Sequence, residues 1–145
     1  MAYGPNNWYK GEEAVKVFNA HSKSLIGFTK KAAFAGTVAA AEYVADYIRN
    51  MIGVQGTRDD RSLPGEPPKR QSGELQNSIR VLRDNREQLA VVYSDSEHWW
   101  YLEYGTKKMK PRPFWRRSIA ETKVDLHRVV MEGILEYLAT EAQPR

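Results

Sequence analysis

The chain has 145 residues, a formal net charge of +4, 41% hydrophobic and 28% charged side chains, which is the size and balance of one globular domain able to bury a core without disulfides or a metal. It contains no cysteine, so disulfides and cysteine-based zinc sites are excluded. Eight Tyr, four Trp and four Phe argue against a disordered chain, which would be poor in aromatics.

In chain order, Met1 to Lys10 is rich in turn formers and reads as an arm with Trp8 and Tyr9 as anchors. It lacks the basic-then-apolar layout of a signal peptide, and no apolar run approaches the roughly 18 residues of a membrane span. A cytoplasmic site of synthesis and no membrane partner are therefore expected. Acidic Glu12 and Glu13 suit a helix N-terminus. Phe34, Val38, Ala41, Ala45, Ile48 and Ile52 then recur at the spacing of one helix face, widened by Val44, Tyr47 and Met51. Seven alanines between 32 and 45 favour helix and permit close approach of a neighbour. Ser22, Ser24 and Gly27 mark the place for a break or kink near 19–28. A helix of ~40 residues is about 60 Å long, so it either bends over its own sheet or packs on another subunit.

Residues 53–73 hold three of the seven prolines and four of the ten glycines and read as a long loop, a class that is usually functional or disordered. Ser72 is placed to N-cap a short turn beginning Gly73-Glu74-Leu75. Ile79–Arg83 and Gln88–Tyr93 are β-prone runs joined by a four-residue hairpin loop, Asp84 to Glu87. Trp99–Tyr104 reads as a third strand ended by Gly105. A terminal helix starts at Pro113, a favourable first helical residue, and its stripe of Ile119, Leu126, Val130, Ile134 and Tyr137 runs to about Ala142. The expectation is an α+β fold: an antiparallel sheet of about three or four strands with a long N-terminal helix and a C-terminal helix packed on it. The organisation is an arm at 1–10, a single domain at 11–142, and a short tail at 143–145, without internal repeats.

The residues offer little catalytic chemistry. His21, His98 and His127 have no metal-site spacing among themselves or with acidic residues. Asp95, Glu97, His98 and Glu103 are close in sequence, but such groups are usually solvated strand ends. Gly53-Val54-Gln55-Gly56 lacks the Gly-Lys-Ser/Thr that completes a phosphate loop, and no Gly-x-Ser-x-Gly elbow is present. No catalytic residue, metal or cofactor is assigned, and the chain is read as a non-enzyme.

The strongest local feature is a corner. Residues 107–117 carry Lys107, Lys108, Lys110, Arg112, Arg116 and Arg117 and no acid, whereas the other 16 basic and 18 acidic residues sum to −2. Pro111 and Pro113 fix the backbone before the helix, Phe114 is placed to plug the core, and Gly105 needs a backbone that a Cβ would hinder. Arg112, held between the two prolines, suits a fixed fork to a carboxylate, with Glu103 as its candidate. Lys107, Lys108 and Lys110 are left to face DNA or an acidic partner. A small basic nucleic-acid-binding module is the alternative reading, with nearby aromatics as stacking platforms.

Two motifs resemble a bacteriophage family. Tyr101-Leu102-Glu103-Tyr104-Gly105-Thr106 followed by Met109-Lys110-Pro111-Arg112-Pro113-Phe114 resembles the Tyr-x-x-Glu-Phe-Gly-Thr and Met-x-Pro-Arg-Pro-Phe signature of the neck or tail-completion proteins typified by the gene-ten product of a lambdoid coliphage, with Tyr104 where Phe is commoner. Upstream, Pro64-Gly65-Glu66-Pro67-Pro68 and then Ser72-Gly73-Glu74-Leu75-Gln76-Asn77-Ser78-Ile79 are similar to that family's Pro-Gly-x-Pro-Pro and Thr-Gly-x-Leu-x-x-Ser-Ile pattern. The resemblance covers residues 64–119 and leaves the arm and Trp99-Trp100 outside it. It implies a non-enzymatic virion protein of a long-tailed phage: a ring-forming subunit joining the head connector to the tail, assembled in the bacterial cytoplasm. Its implied partners are other copies of itself, a head-closure or adaptor protein and a tail-terminator or tail-tube protein. Packaged DNA would pass through the ring.

Overall fold

A computed structural model describes residues 12–55, 62–70 and 72–141; the expected arm at 1–10 and tail at 143–145 lie outside them. The elements are α1 (Glu12–Met51), β1 (Gly53–Gln55), β2 (Lys69–Arg70), α2 (Glu74–Asn77), β3 (Ile79–Asp84), β4 (Leu89–Ser94), α3 (His98–Tyr104), α4 (Trp115–Thr122) and α5 (Leu126–Glu141). The architecture is α+β: a long N-terminal helix and a C-terminal helix with a two-stranded antiparallel sheet. β1 and β2 add a short parallel pair inside the long connection.

α1 is a single helix of 40 residues with no break at 19–28. Its last turns supply the core: Ala45, Ile48 and Ile52 are buried with Ile79 of β3 and Phe114. Further back, α1 lies antiparallel along α5. Tyr43 donates a hydrogen bond to the Asp125 carboxylate at 3.2 Å, and Phe28 meets Tyr137 with ring centroids 6.1 Å apart. Between these points the helices touch through glycine. A Cβ built on Gly133 would stand 2.6 Å from the Ala39 Cβ, and one on Gly36 only 2.7 Å from the Val130 carbonyl oxygen. The alanine-rich stretch therefore serves close helix packing, and larger side chains here would force the pair apart.

The hairpin pairs Ile79 with Ser94 through Asp84 with Leu89. Its turn is held by the Asp84 carboxylate, which accepts from the Arg86 and Glu87 N–H groups at 2.8 and 3.2 Å. This side-chain-to-backbone clamp is a common way for Asp to start a turn.

Two expectations about the elements after the hairpin fail. Trp99–Tyr104 is helical, so the antiparallel sheet has two strands among the described residues and not three or four. The inward positions explain it: Trp99, Leu102 and Glu103 turn inward while Trp100, Tyr101 and Tyr104 are exposed. That is the period of a helix, not alternation, and the aromatic β-propensity of the run is overridden by packing. The terminal helix is also two helices. α4 ends at Thr122, and α5 starts after Asp125, whose carbonyl accepts the Val129 N–H at 3.0 Å. Ile119 is accordingly exposed, and α4 instead buries Ser118 and Thr122. Their hydroxyls donate back to the carbonyls of Phe114 at 2.6 Å and Ser118 at 2.8 Å, which makes their burial tolerable.

Candidate functional site: the proline-flanked corner

The corner begins at the end of α3. Gly105 has φ +77°, and a Cβ there would lie 2.7 Å from the Met109 carbonyl oxygen, so the position requires glycine twice over. Thr106 and Met109 then exchange backbone hydrogen bonds at 2.8 and 3.2 Å. The Thr106 hydroxyl accepts the N–H groups of Lys108 and Met109 at 3.3 and 3.1 Å. This tight turn puts Lys107 and Lys108 at its tip, exposed, and Lys110 is exposed just beyond it. Pro111 and Pro113 lead into α4, with the Arg112 N–H between them donating to the Leu102 carbonyl at 2.7 Å. Phe114 follows, fully buried.

Glu103 is the centre of this arrangement. It is 1% exposed, and its carboxylate accepts the N–H groups of Phe114 and Trp115 at 2.9 Å and of Arg116 at 3.1 Å. A fourth bond comes from Arg116 Nε at 2.9 Å. The first N–H groups of a helix have no partners inside it, and Phe114 offers no side-chain cap. Glu103 caps α4 from another helix, with its negative charge at the positive end of the helix dipole. Burial pushes its carboxyl upward, but the three backbone donors and the Arg116 side chain outweigh that and hold it below the ordinary carboxylate range.

The expected Glu103–Arg112 fork is therefore not formed. The carboxylate is occupied by α4, and Arg116, in the first turn of that helix, is the guanidinium in reach. Arg112 instead has Nη1 3.9 Å from the Met109 sulfur, and its buried Nε has no partner among the described residues. Of the six cations, Arg116 also lies 5.1 Å over the Tyr104 ring, and Arg117 pairs with Glu121 at 2.8 Å. The acidic group Asp95, Glu97, His98 and Glu103 is dispersed, since Asp95 pairs with Arg80 at 2.5 Å while Glu103 caps α4.

The upstream motif docks on this corner. Gly65, with φ +85°, turns the chain so that its N–H donates to the Pro111 carbonyl at 3.0 Å. Pro64 is exposed, Pro67 half-buried and Pro68 buried. Ser72 accepts the Glu74 N–H at 3.3 Å, but the residue preceding α2 is Gly73, left-handed at φ +81°. The N-cap position is thus one residue later than expected. Leu75 packs on the core. Between the two motifs lies a cleft of about 440 Å³ whose walls include Pro68, Gly73, Leu102, Met109 and Arg112, with His98 and Lys69 on its lining. The sequence offered His98 only as a member of an acidic group near the α3 start, and Lys69, between the two upstream motifs, carried no signal of its own.

Comparison with protein-family models, with curated proteins and with solved structures finds no match. Among the described residues no group of acidic or histidine side chains could hold a metal ion, and no helix is long and apolar enough to cross a membrane.

Proposed function

We propose that the chain is a structural subunit of a tailed phage, placed in the neck, where copies form a ring joining the head connector to the tail. The observation that carries this reading is convergence. The two segments that resemble the neck and tail-completion proteins are separated in sequence, yet they meet at one corner through the Gly65–Pro111 hydrogen bond and share a cleft. That corner is stiff, being fixed by two prolines, a left-handed glycine and the Glu103 cap. It is a shape to be fitted, not a set of groups for a reaction.

In this reading the partners are other copies of the chain, a head-closure or adaptor protein on one side and a tail-terminator or tail-tube protein on the other. The arginines at positions 116 and 117 are engaged within the subunit. Lys107, Lys108 and Lys110 project outward, where close like charges favour an anionic neighbour. They face packaged DNA in the lumen or an acidic face of an adjoining protein.

The test is a phage carrying Lys107→Gln, Lys108→Gln and Lys110→Gln together. The purified variant should melt like the parent, since exposed lysines contribute within about 0.5 kcal/mol. Lysates should nonetheless contain fewer joined particles or poorly retained DNA, with a defect that changes with salt. Normal yields at every salt concentration would count against this use of the corner.

A further inference from the structure

α1 is far longer than its partner: 40 residues against 16 for α5. Past the Phe28–Tyr137 contact, α1 has no cover among the described residues. No described side chain from Val15 to Lys31 is buried, and Val15, Phe18, Leu25 and Ile26 are 57%, 71%, 64% and 54% exposed. These four lie on one side of the helix at spacings of three, seven and one, the pattern of a contact face. The stretch from Ala14 to Ala41 contains Lys16, Lys23, Lys30 and Lys31 and no acid.

A second bare apolar face lies elsewhere on the same molecule. Strand register puts Val81 and Val92 on the α1 side of the hairpin, and both pack against the core. The opposite side carries the paired Leu82 and Val91, flanked by Leu89 and Tyr93, at 37–55% exposure, with Arg80 and Asp84 at its two ends. Among the described residues this sheet has two strands and one uncovered, mainly apolar face, which is an incomplete layer.

We infer that the free N-terminal half of α1 from one copy lies across the outer face of the β3–β4 hairpin of a second copy. The lengths agree: 15 helical residues span about 22 Å and a six-residue strand about 20 Å. The contact cannot be made within one chain. The hairpin packs on the C-terminal half of α1, where Arg83 pairs with Glu42, and the free segment points away from it along the same unbroken helix. Parallel pairing of two free α1 segments is disfavoured, because it would bring eight lysines together with acids only at the helix start, Glu12 and Glu13. The hairpin, in contrast, is charge-balanced, with Arg80, Arg83 and Arg86 against Asp84, Glu87 and Asp95, so it carries no net positive charge to repel the lysines. The result is a head-to-tail contact with two different surfaces, each helix covering its own hairpin on one face and the neighbour's on the other. This inference stands on the two exposed faces and does not require the neck reading.

The experiment uses the full chain in three forms: the parent, a helix variant (Phe18→Glu with Leu25→Glu) and a hairpin variant (Leu82→Glu with Val91→Glu). Circular dichroism and thermal melting establish that both variants fold, as exposed positions allow. Light scattering after size exclusion should show concentration-dependent oligomers for the parent and monomers for each variant alone. An equimolar mixture of the variants should give a dimer and nothing larger, because it restores one intact helix–hairpin contact. A parent that stays monomeric at its highest soluble concentration overturns the inference. So does a hairpin variant that still oligomerises, which would mean helix–helix pairing. Binding of the parent to phosphatidylglycerol vesicles without self-association overturns it too and assigns the helix to a lipid surface.

Discussion

Replacing Phe114 with alanine is expected to destabilise the subunit by about 3–5 kcal/mol, the range for removing a fully buried aromatic ring. Phe114 has no exposed surface and shares a cluster with Ala45, Ile48, Ile52 and Ile79. It joins the end of α1, the first strand of the hairpin and the start of α4, so the lost contacts belong to three elements at once. The neighbours cannot close the gap cheaply: Phe114 is fixed from behind by Pro113 and by its own N–H bond to Glu103. Urea unfolding of the variant should show a lower midpoint at an unchanged slope, meaning a change in stability and not in the surface exposed. A loss below about 1 kcal/mol would mean that the ring is not a keystone of this core.

Glu103→Gln should cost roughly 2–4 kcal/mol at neutral pH, because it removes a buried charge that satisfies three backbone donors and one guanidinium. The amide keeps one acceptor but turns an NH₂ group toward donors. Arg116→Gln should cost far less, under about 1 kcal/mol, since that side chain is largely exposed and its pair is screened. The pH dependence separates the charge from the packing. Because the folded carboxyl titrates below its unfolded value, its contribution is fully present above the unfolded carboxylate pKa. It is lost as pH falls through the lowered folded value. The stability gap between parent and Glu103→Gln should therefore be wide at neutral pH and narrow steadily in acid. A gap that is flat with pH would show that Glu103 acts by shape alone.

The parts of the fold that follow from period and punctuation were legible in the sequence. The α1 stripe from Ala41 to Ile52 is buried as its spacing requires, the hairpin runs fall within a residue of their strands, and Gly105 and Phe114 behave as the corner demands. The failures come from tertiary demands that no local pattern carries. Trp99 to Tyr104 has strand-like composition, yet helix geometry is what delivers the Glu103 carboxylate to the start of α4. Ser118 and Thr122 look like surface residues until their hydroxyls close on carbonyls within the helix. Arg112 was assigned to Glu103 because the chain reverses between them, but α4 itself fills that carboxylate, and the guanidinium that reaches it is one helical turn further on. Phe18 and Leu25 are exposed, and no local pattern tells an apolar helix position that is covered from one that is not.

The most direct test of the proposed neck role is electron microscopy of lysates from a phage that encodes this chain, with the gene deleted and then restored in trans. A neck role predicts DNA-filled heads and complete tails lying separate, or heads with defective joints, and joined particles again on complementation. Normal infectious particles from the deletion strain would contradict it.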